Sequence, residues 1–460
     1  MNLSLWTAPE IATATGGAAH DDFAVTGVAF DSREIGQNDL FIAMKGEAMD
    51  GHRFLDAAFA AGAAGAVVSE AIDRPHVKVA DTFAALNALG TASRARTAAA
   101  VIGVTGSAGK TGTKEALFAA LDRCAPGRAH RSVKSYNNHT GVPLSLARMP
   151  RDARFGVFEM GMNHPGELAA LTRIVRPHVA IVTTIAPAHK EFFVSEEEIA
   201  DAKAEIFEGL EPGGTAIVPF DNPHGARLAA AAQAVGARVV TFGLGEGADV
   251  RATYVTSAPA GGSLVTAVLP GAQLSYRISQ PGDHWAANSL AVLAAVQAVG
   301  GDLAQAGLAL ADMAGLKGRG ARTMVDVPGG EALLIDESYN ANPASMAATL
   351  KVLGAQAVQG RRIVVLGAMR ELGAESADFH AALAAPIGGA RIDVAILVGD
   401  EMDSLAKALG GAIEMTHVPD AASAIPVARA AIGPGDAVLV KGSNSIGLAA
   451  LVEALAGGEN

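Results

Sequence analysis

The stretch Gly103-Val104-Thr105-Gly106-Ser107-Ala108-Gly109-Lys110-Thr111-Gly112-Thr113 restricts this chain to few folds. It follows the alanine and β-branched run Ala98 to Val104 and leads into a helix-like segment, Lys114 to Leu121. A strand that enters a glycine-rich turn and then a helix start presents backbone N–H groups, and the positive end of a helix, to an anion. The segment therefore predicts a nucleotide phosphate held by Gly106, Ser107, Ala108, Gly109, Lys110, Thr111 and Gly112. Lys110 is expected to reach the β- and γ-phosphates, and the Thr111 hydroxyl to hold a magnesium ion. The first glycine of the usual G-x-x-x-x-G-K-[ST] spacing falls on Val104, with Gly103 and Gly106 on either side of it.

A phosphate loop needs a parallel sheet, and the chain is long enough for more than one. At 460 residues it exceeds the length over which one core keeps growing, so two or three domains are expected. Its net charge of −12 argues against a general nucleic-acid or acidic-membrane binder, and neither partner is expected. A single cysteine, Cys124, cannot form an internal disulfide, which suits a reducing compartment. No Lys or Arg precedes Arg33, and no apolar run approaches the roughly 18 residues of a membrane span. The expectation is a cytoplasmic monomer without membrane insertion.

Three blocks emerge along the chain. Residues 1–82 read as a small α/β unit, with strands at Val25–Phe30, Leu40–Met44 and Gly65–Val68 and a helix near Phe54–Ala61. Residues 83–312 alternate strand and helix, with strands at Val101–Val104, Phe155–Glu159, Val179–Thr183, Thr215–Val218 and Arg238–Thr241. Residues 250–280 alternate like antiparallel strands, and a helix follows from Ala286 to Val299. Residues 313–460 form a second series, with short buried strands at Ala332–Ile335, Arg362–Leu366, Val394–Val398 and Ala437–Val440. Such a doubly wound sheet binds ligands at the carboxyl ends of its strands. The fold class is thus α/β in three domains: a small N-terminal unit, a central P-loop ATPase-like parallel sheet and a C-terminal Rossmann-like domain.

Several polar residues fall where chemistry could occur. Glu159 ends a strand of the phosphate-loop sheet and is placed to hold Mg²⁺, or to cap a helix. Asn137 lies in a polar turn, where amides bind oxyanions or simply close the turn. His189 follows the strand Val179–Thr183 at the ligand face, where it is either incidental or near a metal. By spacing alone Lys203 sits at the edge of an apolar helical stripe and reads as snorkelling. His284 and Asn288 lie one helical turn apart and could read an adenine edge. Asp31-Ser32-Arg33 reads as a surface turn.

Gly103-Val-Thr-Gly-Ser-Ala-Gly-Lys-Thr111, Glu159-Met-Gly-Met-Asn-His-Pro-Gly-Glu167, Ile185-Ala-Pro-Ala-His189 and Ala202-Lys-Ala-Glu-Ile-Phe-Glu-Gly-Leu210 resemble the central domain of the Mur ligases. These are ATP-dependent amide-forming enzymes of peptidoglycan precursor synthesis. Asp336-Glu-Ser-Tyr-Asn-Ala-Asn-Pro343 and Leu439-Val-Lys-Gly-Ser443 are similar to those members that add D-alanyl-D-alanine to UDP-N-acetylmuramoyl-tripeptide. Asp31-Ser-Arg33, Asp39-Leu-Phe41 and Asp50-Gly-His52 look like the UDP-sugar domain.

The resemblance implies ATP and Mg²⁺ as cofactors and an acyl-phosphate intermediate. It implies that Lys110, His189 and Lys203 act in catalysis, Lys203 as a carbamate. Thr111, Glu159, His189 and Lys203 would serve the metals. Asn137, His284, Asn288, Arg319, Asp336, Tyr339 and Asn340 would face the nucleotide. Ser32 and Arg33 would face the uridine diphosphate, and Asn342, Lys441 and Ser443 the other substrate groups. Four positions depart from the family pattern: Gly112 for threonine, Trp285 for asparagine, Ala368 for aspartate and Asn444 for a basic residue. A sibling ligase that adds the third amino acid, a nucleotide-gated regulatory ATPase and a kinase are the competing readings. The only string like the sibling's Asp-Asn-Pro-Arg signature, Asp221-Asn222-Pro223-His224, lies in the central block.

Overall fold

The computed structural model describes residues 4–46, 49–187, 191–259 and 261–457. The phosphate-loop strand, Ala100–Thr105, is an inner strand of a nine-stranded sheet. On one side it pairs in parallel with Phe155–Glu159, which brings Glu159 opposite Val104. On the other it pairs in parallel with Val179–Val182, which brings Val182 opposite Thr105. The connections leave the central strand in both directions, so the order reverses there and opens a crevice at the carboxyl ends. Thr215–Pro219 and Arg238–Gly243 continue the parallel part. Beyond them Val250–Ser257, Ser263–Leu269 and Ala272–Ile278 form the expected antiparallel ribbon.

Both faces of this sheet are covered, so its central strands read as continuous apolar runs. One face packs Leu117 and Leu121 with Leu290, Leu293 and Val296. The other packs Val142, Leu168, Ile199, Ile206 and Phe207.

Residues 18–78 supply a five-stranded sheet in the order Ala18–His20, His76–Lys78, Gly65–Val68, Asp39–Ile42, Gly27–Ala29. The single strand expected over Val25–Phe30 is broken at Thr26. Ala24–Val25 pairs with Trp6–Thr7, and Gly27–Ala29 joins the larger sheet. The core of this unit extends to Leu86, Leu89, Leu144 and Ala147, which lie on helices Thr82–Ala95 and Gly141–Ala147. Glu34 adds a polar tie by accepting hydrogen bonds from Lys134 and from the Tyr136 hydroxyl (2.7 Å), with Arg148 at 3.5 Å. That contact holds the Glu34 carboxyl below its ordinary range and, with burial, pushes the Tyr136 hydroxyl up to about 12.

Residues 321–441 form a six-stranded sheet ordered Ala321–Val327, Gly330–Glu337, Ala437–Lys441, Arg362–Gly367, Val394–Val398, Glu414–Val418. Only the first pair is antiparallel. Cores lie on both faces, as a doubly wound sheet requires. Among the described residues no helix is long and apolar enough to cross a membrane.

Candidate active site

The phosphate loop keeps its shape through glycines at positions that a side chain would strain or block. Gly106 has φ +147°, and a Cβ there would lie 2.0 Å from Thr183 Oγ1. Gly109 caps the helix Lys110–Cys124 with φ +82°. The loop is fastened to the next strand end by Ser107 N–H, which donates to Thr184 O (2.9 Å), and by Ala186 N–H, which donates to Ser107 Oγ (3.1 Å). Rigid backbone amides at a helix start suit a phosphate.

Lys110 Nζ donates to Gly106 O at 2.7 Å and so folds back over the loop. Burial lowers its pKa and the nearby charge of Arg319 lowers it further, while Glu159 opposes both. Glu159 is 1% exposed. Its Oε2 accepts from Thr111 Oγ1 at 2.9 Å and its Oε1 from Asn137 Nδ2 at 2.8 Å. Lys114, fully buried in the first turns of the same helix, brings Nζ to 3.8 Å from Glu159 while donating to Lys134 O at 2.7 Å. The Glu159 side chain is therefore held at the strand end by two hydrogen bonds, with the Lys114 amine close by. Lys114 went unremarked in the sequence, because a lysine in a helix after a polar loop carries no signal of burial.

Lys203 does not snorkel. It is 1% exposed on a helix whose Ile199 and Ala202 belong to an apolar core, and its amine has no hydrogen-bond or ion-pair partner among the described residues. Burial drives its pKa well below the lysine range, and the charge of Lys110 adds to the effect. Burial that disfavours the charged form favours the nucleophilic form of such an amine. His189 lies outside the described residues. Among those described, no group of three or more His, Cys, Asp or Glu side chains is assembled that could hold a metal.

The cleft is closed from the side of the six-stranded sheet. Arg319 lies over the Tyr339 ring, its guanidinium carbon 4.2 Å from the ring centre, and reaches towards Ser135 Oγ at 3.5 Å. Asn342 caps the helix Pro343–Ala355 through its Oδ1 and donates from Nδ2 to Ser107 O at 3.2 Å, across to the phosphate loop. Lys441 Nζ, 3.4 Å from Glu337 Oε2, donates to Asn340 O at 2.9 Å. Burial lowers the Lys441 pKa, and burial with Lys441 nearby pushes His284 down to about 4, which keeps that imidazole neutral.

These groups enclose a cavity of about 630 Å³. Its walls include Ser107 to Gly112, Asn137, Glu159, His284, Asn288, Arg319, Tyr339, Asn340, Asn342 and Lys441. Six expected site residues among those described stand outside it, the buried Lys203 among them. Gly106 shapes the loop from behind. Asp336 accepts from Gly318 N–H (2.7 Å) and from the Ser338 hydroxyl (2.6 Å), and so holds the turn that carries Arg319. Ser443 Oγ accepts from Arg370 N–H at 2.9 Å. Ser32 and Arg33 form a short 3₁₀ turn in the N-terminal unit, where Arg33 is engaged by Asp31 at 2.6 Å. Asp221, Asn222 and Pro223 do line the cavity, which their turn-like sequence did not announce.

A phosphate loop with a buried carboxylate beside it, overlaid by basic and amide side chains from a second α/β sheet, defines the class: the chain belongs to the Mur ligase family. Residues 24–109 match the Mur ligase family catalytic domain, 104–296 the Mur ligase middle domain and 323–444 the Mur ligase glutamate ligase domain. Among particular members, the UDP-N-acetylmuramoyl-tripeptide--D-alanyl-D-alanine ligase of Synechocystis is 35% identical, over 95% of this chain and 93% of that protein. The ligase of the same name from Escherichia coli is 35% identical over 94% of each. The crystal structure of MurF from Acinetobacter baumannii superposes with a TM-score of 0.84 at 32% identity, covering 98% of this chain and 99% of that one.

Proposed function

We propose that this chain is an ATP-dependent ligase that joins D-alanyl-D-alanine to UDP-N-acetylmuramoyl-tripeptide in peptidoglycan precursor synthesis. The observation that carries the reading is the meeting of Lys110, Thr111 and Glu159 with Arg319, Asn342 and Lys441 around one cavity. The terminal carboxylate of the tripeptide attacks the γ-phosphorus of ATP, giving an acyl phosphate and releasing ADP. The amine of D-alanyl-D-alanine then attacks the acyl carbon, forming the amide and expelling phosphate.

Both steps move negative charge among phosphate oxygens, so catalysis rests on positioning and on fixed positive groups. Lys110 neutralises the transferring phosphoryl group. Arg319 and Lys441 approach from the third sheet, and closure of that sheet excludes water, which would otherwise consume the acyl phosphate. Asn288, with His284 and Tyr339 beside it, serves the base end of the nucleotide, and Ser32 and Arg33 serve the uridine diphosphate. Asn340 and Asn342 face the nucleotide and the acceptor, and Ser443 follows the end of the neighbouring strand Ala437–Lys441.

Thr111 and Glu159 suit Mg²⁺, which takes one or two protein oxygens and completes its shell with phosphate and water. Mg²⁺ bound there would screen the phosphate charge. The Lys203 amine, on giving up its proton, would add to CO₂ to form a carbamate, and that carbamate with His189 would offer donors to a second metal. Glu159 and a carbamate on Lys203 would then offset the charge of Lys110.

The test is a product screen with ATP and UDP-N-acetylmuramoyl-tripeptide, offering D-alanyl-D-alanine or single amino acids. ADP release and a product of the dipeptide-adduct mass are expected only with the dipeptide. ADP release without acceptor would make the chain an ATPase, and a single-amino-acid product would make it the sibling ligase.

A further inference from the structure

Gly112 and Trp285 touch in a way that neither explains alone. Gly112 is buried in the first turn of the helix that follows the phosphate loop, a place where glycine weakens the helix. A Cβ at 112 would lie 2.7 Å from Trp285 Cη2, 3.3 Å from Cζ3 and 3.4 Å from Cζ2. No real Cβ sits so close, so any larger residue at 112 displaces the indole. Trp285 opens the helix Asp283–Ala298 and is only partly covered, packing one side on the core. It lines the cavity together with Gly112, His284 and Asn288.

The surroundings suit a flat, uncharged ring system. The His284 ring centre is 6.2 Å from the indole, and that imidazole is neutral at physiological pH. One turn further along the helix, the Asn288 amide makes no hydrogen bond to any described residue, and its Nδ2 would lie 2.8 Å from a Cβ at Gly109. An aromatic face beside a free amide is the combination that holds a nucleobase, the face by stacking and the amide by its edge.

We propose that Trp285 is the stacking wall for the purine base of the bound nucleotide, and that glycine at 112 is what seats it there. The assignment rests on the nucleotide reading of the cavity. It makes residue 112, inside the phosphate-binding segment, a determinant of base affinity rather than of phosphate affinity.

Calorimetric titration with ADP and with inorganic tripolyphosphate separates the two. W285A is expected to bind ADP about tenfold more weakly than wild type, in line with the loss of one base–aromatic stack, and to bind tripolyphosphate unchanged. W285F should retain most of the ADP affinity. G112A should lose ADP affinity about as far as W285A, and G112A/W285A should be no worse than W285A alone, since both remove one contact. If W285A does not fold, G112A and W285F carry the same comparison. Wild-type ADP affinity in the folded variants would overturn the proposal, and so would equal losses of ADP and tripolyphosphate, which would mark a distorted loop. If wild type itself binds neither probe, the nucleotide reading of the cavity falls first.

Discussion

Thr111 Oγ1 donates to Glu159 Oε2 at 2.9 Å, which ties the end of the phosphate loop to the tip of the adjacent parallel strand. The pair is buried, and register sets it: Glu159 lies opposite Val104. Glu159→Gln keeps the shape and the Asn137 contact but removes the charge. It should raise the Mg²⁺ concentration needed for half-maximal activity and lower kcat/KM by about a hundredfold or more. A magnesium titration of ADP release checks this, and an unchanged midpoint would remove Glu159 from the metal site.

Lys110→Ala removes the cation that folds over the loop. The expected loss in kcat exceeds about a hundredfold, because a charge acting on the transferring phosphoryl group is realised mainly in the transition state. Steady-state phosphate release measures it, and near-normal turnover would refute the role.

Lys203 should carry a carbamate in active enzyme. Growth or incubation with ¹³C-bicarbonate should give a carbamate carbon resonance that is absent from Lys203→Met, and Lys203→Met should be inactive. The unmodified side chain also predicts a pH slope. Its folded pKa is lowered, so between that value and about 10.5 the unfolded chain binds the extra proton, and stability rises with pH. Urea denaturation in CO₂-free buffer should show a shallower rise for Lys203→Met than for wild type.

His130 gives a second pH signature. Its ring lies against Phe158, its Nε2–H donates to Ser145 O at 2.7 Å, and burial pushes its pKa down to about 4. Below pH 6.5 the unfolded chain takes up the proton first, so this residue's stability contribution falls as pH drops to about 4, by about 3 kcal/mol in all. An NMR titration of the His130 ring should show no change between pH 7 and 5.

The parallel strands were readable because a strand covered on both faces must be apolar throughout, as Val179–Val182 and Val394–Val398 are. Edge strands lack that signature. Glu414–Val418 and Ala321–Val327 are largely exposed and mixed in character, and Ala129–Arg131 is three residues long, so none was evident. The phosphate loop announced its own chemistry through glycine, lysine and threonine at fixed spacing. Lys203 did not: helical periodicity places it beside an apolar stripe, and only tertiary packing distinguishes its burial from a surface stem. Lys114 belongs to the same category, since long-range packing decides which polar side chains turn inward.

The hydrogen bond from Asn342 to the Ser107 carbonyl spans 235 positions of sequence and joins two separate sheets. Because the same amide side chain caps a helix of the far sheet, a shift of the loop backbone is passed to the start of that helix without an intervening hinge. Grip on a phosphate and the posture of the overlying sheet are thereby one mechanical variable, and an opening wide enough to discharge product must first break that bond.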